Sequence, residues 1–236
     1  MKKESLPVGD RLERYIAHQG LASRREAKDL IAGGLVMVNG KVVKDAGFRV
    51  DPMTDKIVLD TKKIPSKETV LLYKPRGIET SKTSSRSKDI HDEFPQLAHL
   101  PPIGRLDKDS EGLILLSNDG TLARALTAES HIEKEYIVSV RESVQDIHMK
   151  KMSQGIVIDG VMTKPAKARK VSDHSFSIVL KEGRKHQIRR MCEACRLTVE
   201  SLVRVRIGIL TSKGMKSGSV KIVSSKEVEK LKKQQS

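Results

Sequence analysis

A carboxylate with an arginine close by is the most reactive arrangement this sequence offers. Asp107 follows Arg105 by two residues and precedes Asp109 by two, within the run GRLDKDSEGLILLSNDG at 104–120. The apolar stretch 113–116, closed by the turn residues Ser117, Asn118, Asp119 and Gly120, reads as a buried strand. That sets Asp107 on a loop leading into a rigid element, a usual place for reactive groups. Ionised, such a carboxylate attacks an electrophilic carbon or takes a proton, and a neighbouring guanidinium favours its charged form. The residue types also fit a plain solvated turn. Calcium fits less well. Asp107, Asp109, Glu111 and Gly112 match the start of an EF-hand loop, but Leu115 and Asn118 stand where ligands nine and twelve belong.

The elements around this loop must hold it. TVLLY at 69–73 is a β-branched apolar strand ended by Lys74, Pro75, Arg76 and Gly77. The segment 80–94, rich in Ser and Lys, is expected to be a mobile loop. Leu122, Ala125 and Leu126 share a helical face, and 136–140 alternates as a strand. A helix is expected over 145–155. Segments 156–159 and 164–171 are expected to pair around Asp159-Gly160, and 175–180 is a further strand. After the Gly183 turn, a basic helix from about Lys185 presents Ile188, Met191 and Cys192 at apolar spacing. In SLVRVRIGIL, Arg204 and Arg206 alternate onto one strand face.

The N-terminal part has its own pattern. Leu12, Tyr15 and Ile16 form one helical face, and Gly20 stops that helix. Ser23 with Glu26 makes a capping box for a second helix, whose apolar face is Ala27, Leu30 and Ile31 and whose end is Gly33-Gly34. Asn39-Gly40 between two apolar runs signals a hairpin. Strand 55–60 closes the unit, and the Lys-rich segment after it reads as a linker. The expected organisation is a disordered arm at 1–9, a small domain at 10–66, a catalytic domain at 67–225 and a basic tail at 226–236.

The chain has 236 residues and a formal net charge of +15, so its partner is expected to be a polyanion. No run of 18 apolar residues exists and the N-terminus lacks a signal-peptide core, so no membrane partner and a cytoplasmic location are expected. Cys192 and Cys195 have no second ligand pair, and they read as reduced thiols one helical turn apart. His91 and His99 lack partners at ligand spacing. Aromatic residues make up 3%, too few for a sheet that stacks several bases.

GRLDKDSEGLILLSNDG closely resembles the catalytic motif of the pseudouridine synthases, in the branch that modifies ribosomal RNA (the RsuA, RluB, RluE and RluF group). The likeness recurs in KPRG at 74–77, in Lys134-Glu135-Tyr136, in EGRKHQIRRM at 182–191 and in SLVRVRIGIL at 201–210. Tyr73 departs from the Asn more usual before the first of these. GLASRREA followed by VNGKVV is similar to the αL (S-four-like) RNA-binding domain first described in a small-subunit ribosomal protein. The resemblance implies an α+β chain. The small αL domain precedes a larger mixed, mainly antiparallel β-sheet domain flanked by helices.

Roles follow from the same resemblance. Asp107 is the implied catalytic carboxylate, as nucleophile or base, with Arg189 beside it and Tyr136 stacking on the target uracil. Ile188 and Leu202 line the pocket, and Arg105 fills the space that the base vacates. Arg11, Arg24, Arg25 and Lys28 face RNA phosphates on the small domain. Lys74, Arg76, Arg184, Lys185, Arg204 and Arg206 are candidate RNA contacts on the large one. The implied partner is ribosomal RNA, with transfer RNA as an alternative substrate, and the chain is expected to act as a monomer with no cofactor and no metal. The rival reading is a non-catalytic RNA-binding or ribosome-assembly factor. It gives no reason for Asp107, Tyr136, Arg189 and Leu202 to match together.

Overall fold

The computed structural model describes residues 9–45, 47–60, 66–84, 87–127 and 132–234. Positions 1–8 of the expected arm and 61–65 of the expected linker lie outside them. The chain forms two compact units, Met1–Lys67 with Asp119–Arg124, and Glu68–Asn118 with Ala125–Ser236.

In the first unit, helix Leu12–His18 buries Leu12 and Ile16. Helix Arg24–Ala32 starts at a complete capping box: Ser23 Oγ accepts from Glu26 N, and the Glu26 carboxylate accepts from Ser23 N at 2.6 Å. Ala27, Leu30 and Ile31 are its buried stripe. Strand Val36–Val38 pairs antiparallel with Lys41–Val43 and with Ile57–Leu59. Asn39 and Gly40 take φ of 51° and 77°, the mirror-image turn that matches hairpin twist.

The second unit is built on a nine-stranded sheet. Its order is Lys167–Ser172, Ser175–Leu180, Lys134–Val140, Val199–Ile207, Glu111–Ser117, Thr69–Lys74 and Val220–Ile222. Leu210–Thr211 and Pro102–Ile103 pair at the side. The pairing is antiparallel except at the centre, where Val199–Ile207 runs parallel to Glu111–Ser117. The sheet is therefore mixed, as expected. Helices Asp146–Gln154 and Gln187–Ala194 supply Met149, Met152, Ile188, Met191 and Cys192 to a core shared with Val138, Phe176 and Ile178. A second core joins Val70, Leu72, Ile114 and Leu116 to Ile90, Leu97 and Leu100.

Two local expectations are corrected. The turn at Asp159-Gly160 joins Val157–Ile158 to Val161–Met162, whereas Lys167–Ser172 pairs with Ser175–Leu180. A tight two-residue turn returns the chain at once, so the nearest apolar residues pair first. Segment 80–94 is not all loop: Asp89 caps the short helix Ile90–Glu93, and Ile90 is fully buried. Residues 226–233 of the expected basic tail belong to helix Ser225–Lys233, which buries Val228 and Leu231. No helix among the described residues is long and apolar enough to cross a membrane.

Candidate active site

The loop carrying Asp107 is held carbonyl by carbonyl. Arg105 O accepts from Arg204 Nη1 at 3.3 Å, and Leu106 O accepts from the Thr80 hydroxyl at 2.6 Å. Asp107 O accepts from Ser110 N at 3.1 Å, and Lys108 O from Gly77 N at 2.8 Å. Asp109 O accepts from Arg189 Nη2 at 2.9 Å. Leu106 N donates back to Thr80 Oγ1 at 3.0 Å. Five consecutive peptide carbonyls thus have partners, which leaves the Asp107 side chain as the free element of a fixed backbone.

The next residues lock the loop to the sheet. Glu111–Ser117 enters beside Val199–Ile207 with Gly112 opposite Arg204. Gly112 has φ of +104°, and a Cβ there would lie 2.3 Å from Arg204 O. Only glycine permits that approach. The resulting strand occupies the positions of ligands seven and nine of a calcium loop, held there by Leu113 and Leu115. Among the described residues, no group of three or more His, Cys, Asp or Glu could hold a metal ion.

Asp107 is half-buried, with 38% of its side chain exposed, and its Oδ1 lies 3.6 Å from His186 Nε2. Arg189 was expected in that place. It reaches the same loop through the Asp109 carbonyl, and among the described residues no ion pair joins it to Asp107. The reason lies in how the helix starts. His186 takes the left-handed conformation, φ 53° and ψ 29°, directly before Gln187, so the helix begins two residues later than expected and the imidazole turns to the carboxylate. His186 had no sequence signal beyond its place inside the EGRKHQIRRM string.

Tyr136 stands opposite Arg204 across the strand pair, and its hydroxyl accepts from Arg204 Nη1 at 3.5 Å. The ring packs against the cluster that contains Ile188 and Leu202, both almost fully buried. Arg105 is exposed. Tyr136, Ile188 and Leu202 are therefore together, and the Asp107 loop is tied to them through one guanidinium.

Of the expected RNA contacts, Lys74 and Arg204 are buried, and the part-buried Arg184 and Arg206 are engaged by neighbouring groups. Lys74 is fully buried and donates to Pro75 O at 2.8 Å and Ile78 O at 2.7 Å. Burial, and then Arg204, bring its pKa down to about 8, against the opposing pull of Asp107, Glu111 and Asp109. Arg204 is 4% exposed and faces the sheet interior. Arg206, two positions on, is held by Glu135 at 2.8 Å and Glu133 at 3.2 Å. Arg184 donates to Val161 O and Met162 O, fastening the small hairpin. Strict alternation would put Arg204 and Arg206 on one face, but a register shift between them sets Arg204 opposite Tyr136 and Arg206 opposite Glu135, neighbours on opposite faces of their strand. Arg76 and Lys185 are exposed, and Arg76 donates to Glu200 O at 3.2 Å.

In the first unit Arg11, Arg24, Arg25 and Lys28 are all exposed. Arg11 and Arg24 line an open cavity of about 340 Å³ together with Arg14 and Arg49. The last two were not singled out in the sequence, although Arg14 lies one helical turn from Arg11. Cys192 and Cys195 are buried free thiols, and burial pushes the Cys192 thiol up to about 12. His91 Nε2 donates to Leu100 O at 3.0 Å, and His99 pairs with Glu68.

Comparison with known proteins bears directly on this arrangement. Residues 68–194 match the family described as RNA pseudouridylate synthase, and residues 10–56 match the S4 domain. The chain is 36% identical over 235 residues to the ribosomal large subunit pseudouridine synthase B of Bacillus subtilis, covering 94% of this chain and 95% of that protein. It is also 36% identical over 232 residues to the dual-specificity RNA pseudouridine synthase RluF of Salmonella typhi, covering 92% and 77%. A crystal structure described as a pseudouridylate synthase is similar with a TM-score of 0.69 at 30% identity, covering 94% of this chain and 99% of that one.

Proposed function

The chain belongs to the RNA pseudouridylate synthase family, and on that premise we propose that it isomerises a specific uridine of ribosomal RNA, without a cofactor, through Asp107. The fixed loop around Asp107, joined to the cluster of Tyr136, Ile188 and Leu202, is the observation that carries this reading. The reaction breaks the bond from N1 of uracil to the ribose, rotates the base and forms the bond to C5. The C5 proton is lost and N1 regains one, so atoms and electrons balance without an oxidant or energy source.

The base must leave the stack to be reached, at a cost of a few kcal/mol. Arg105, exposed at the mouth of the loop, takes the vacated place in the RNA. Tyr136 and Leu202 hold the base, and stacking of this kind is worth about 1–3 kcal/mol. Asp107 acts ionised, as nucleophile at the ribose or as base. The exposed arginines of the S4 domain hold RNA phosphates. The name of the Bacillus subtilis relative supports the large ribosomal subunit as the source of the RNA. The protein is proposed to act as a monomer in the cytoplasm.

The test is Asp107→Asn with an in vitro transcript of ribosomal RNA. RNA binding stays within a few-fold of wild type and no pseudouridine forms. Full activity of Asp107→Asn removes the assignment. Mapping by carbodiimide-blocked primer extension, in cells with and without the gene, names the uridine. A modification lost from transfer RNA instead would redirect the substrate, and no lost modification would leave the assembly-factor reading.

A further inference from the structure

Arg204 is the place where the parts of the candidate site meet. Its strand, Val199–Ile207, lies between the strand that carries Tyr136 and the strand that follows the Asp107 loop. Its guanidinium donates Nε to Leu113 O at 2.6 Å, and Nη1 to both Arg105 O at 3.3 Å and the Tyr136 hydroxyl at 3.5 Å. Four chain segments are joined by one side chain that is 4% exposed. We propose that Arg204 is a positioning residue, which sets the separation between the Asp107 loop and Tyr136 and so aligns the carboxylate with the base held by that ring. The proposal rests on the functional reading above for what the two groups do, but the geometry stands without it.

Three features favour this over a simple strand tie. A strand pair needs no buried charge to hold it, and apolar side chains of similar volume serve sheets as well or better. A second cation, Lys74, is buried near Arg204 beneath the same loop and opposed by it, so the sheet carries two like charges there. Asp107 and Asp109 on the loop and Glu111 at the start of the next strand act on the same lysine and oppose that repulsion. Buried charge with specific partners of this kind gathers at functional sites. Finally, the planar guanidinium reaches acceptors in several directions at fixed geometry. A lysine ammonium on a flexible stem does not.

The test uses the full chain and an RNA stem-loop carrying the mapped uridine, with single-turnover rates at saturating enzyme and RNA affinity measured separately. Arg204→Lys keeps the charge and loses the fork. Its rate falls ~100-fold, the usual consequence of displacing reacting groups by about 1 Å, while RNA affinity changes less than about three-fold. Tyr136→Phe removes only the hydroxyl. It slows wild type, yet in the Arg204→Lys background it costs no more than about two-fold, because coupled residues are not additive. Losses that multiply, or a wild-type rate for Arg204→Lys, overturn the proposal.

A second measurement needs no variant and no substrate. In the NMR spectrum of the wild-type protein the Arg204 Nε proton is expected to exchange slowly and to show a cross-peak network reaching the Tyr136 ring. Fast exchange with no such contact overturns the geometry even if Arg204→Lys does not fold. If the wild type forms no pseudouridine in the stem-loop, the substrate reading fails while this spectrum still decides the positioning.

Discussion

Replacing Thr80 by valine tests whether the Asp107 loop is held as its hydrogen bonds imply. Valine keeps the shape of threonine and removes one hydroxyl. That hydroxyl donates to Leu106 O at 2.6 Å and accepts from Leu106 N at 3.0 Å, with Thr80 3% and Leu106 6% exposed. The substitution leaves one buried donor and one buried acceptor without partners. Each such group costs about 1–3 kcal/mol, so the loss is about 2–6 kcal/mol. This is a large share of a typical stability of about 5–15 kcal/mol. Urea unfolding of the full chain should show a lower midpoint with unchanged slope. The rate at saturating RNA should fall ~10- to 100-fold, because Leu106 adjoins Asp107 and a small displacement misaligns the carboxylate. Thr80→Ser restores both hydrogen bonds and should recover most of both losses. A Thr80→Val protein within about 0.5 kcal/mol of wild type and with an unchanged rate would refute the claim that the loop is fixed from this side.

Other expectations follow from the same structure. Gly112→Ala brings a Cβ to 2.3 Å from Arg204 O at a φ of +104°; overpacking and backbone strain together should cost about 2–4 kcal/mol, read as a loss of soluble protein or a lower urea midpoint. Arg24→Ala should reduce the log–log salt dependence of RNA binding by about 0.7–0.9, equally for any RNA sequence; an unchanged slope means that Arg24 touches no phosphate. Lys74 has a folded pKa of about 8 against the ordinary 10.5. Between those values the unfolded chain binds the proton and the folded one does not, so this group makes stability rise with pH over the window, and below about 8 it adds no pH dependence. Lys74→Met should lose that part of the rise in the difference between the two pH profiles of unfolding.

Local structure in the small domain was legible because its determinants are near neighbours in sequence. Ser23 and Glu26 are three residues apart and cap the helix they precede. Asn39-Gly40 adopts the turn that only such residues enter without strain. The large domain was legible where motifs are long. Asp107 lies on the loop expected of it, and Tyr136, Ile188 and Leu202 come from distant segments into one cluster. Thr80 was not legible at all, because its partner Leu106 is 26 residues away and nothing local marks the pair.

Charge was the least legible quantity. Lys74, Arg184, Arg204 and Arg206 look, as letters, like further RNA contacts in a chain of net charge +15. Whether a basic side chain meets solvent or the sheet interior depends on what covers its strand face, and strand order supplies that cover. Likewise, the choice of His186 over Arg189 as the group nearest the Asp107 carboxylate turns on one left-handed residue before Gln187. The amino-acid order alone determined the two-part organisation, the family and the place of Asp107 on its loop, since these rest on residue types and short spacings. The tertiary structure alone decided which cations are buried, which carbonyls they hold and how Arg204 joins the loop to Tyr136, since each of these depends on neighbours brought together only by the sheet.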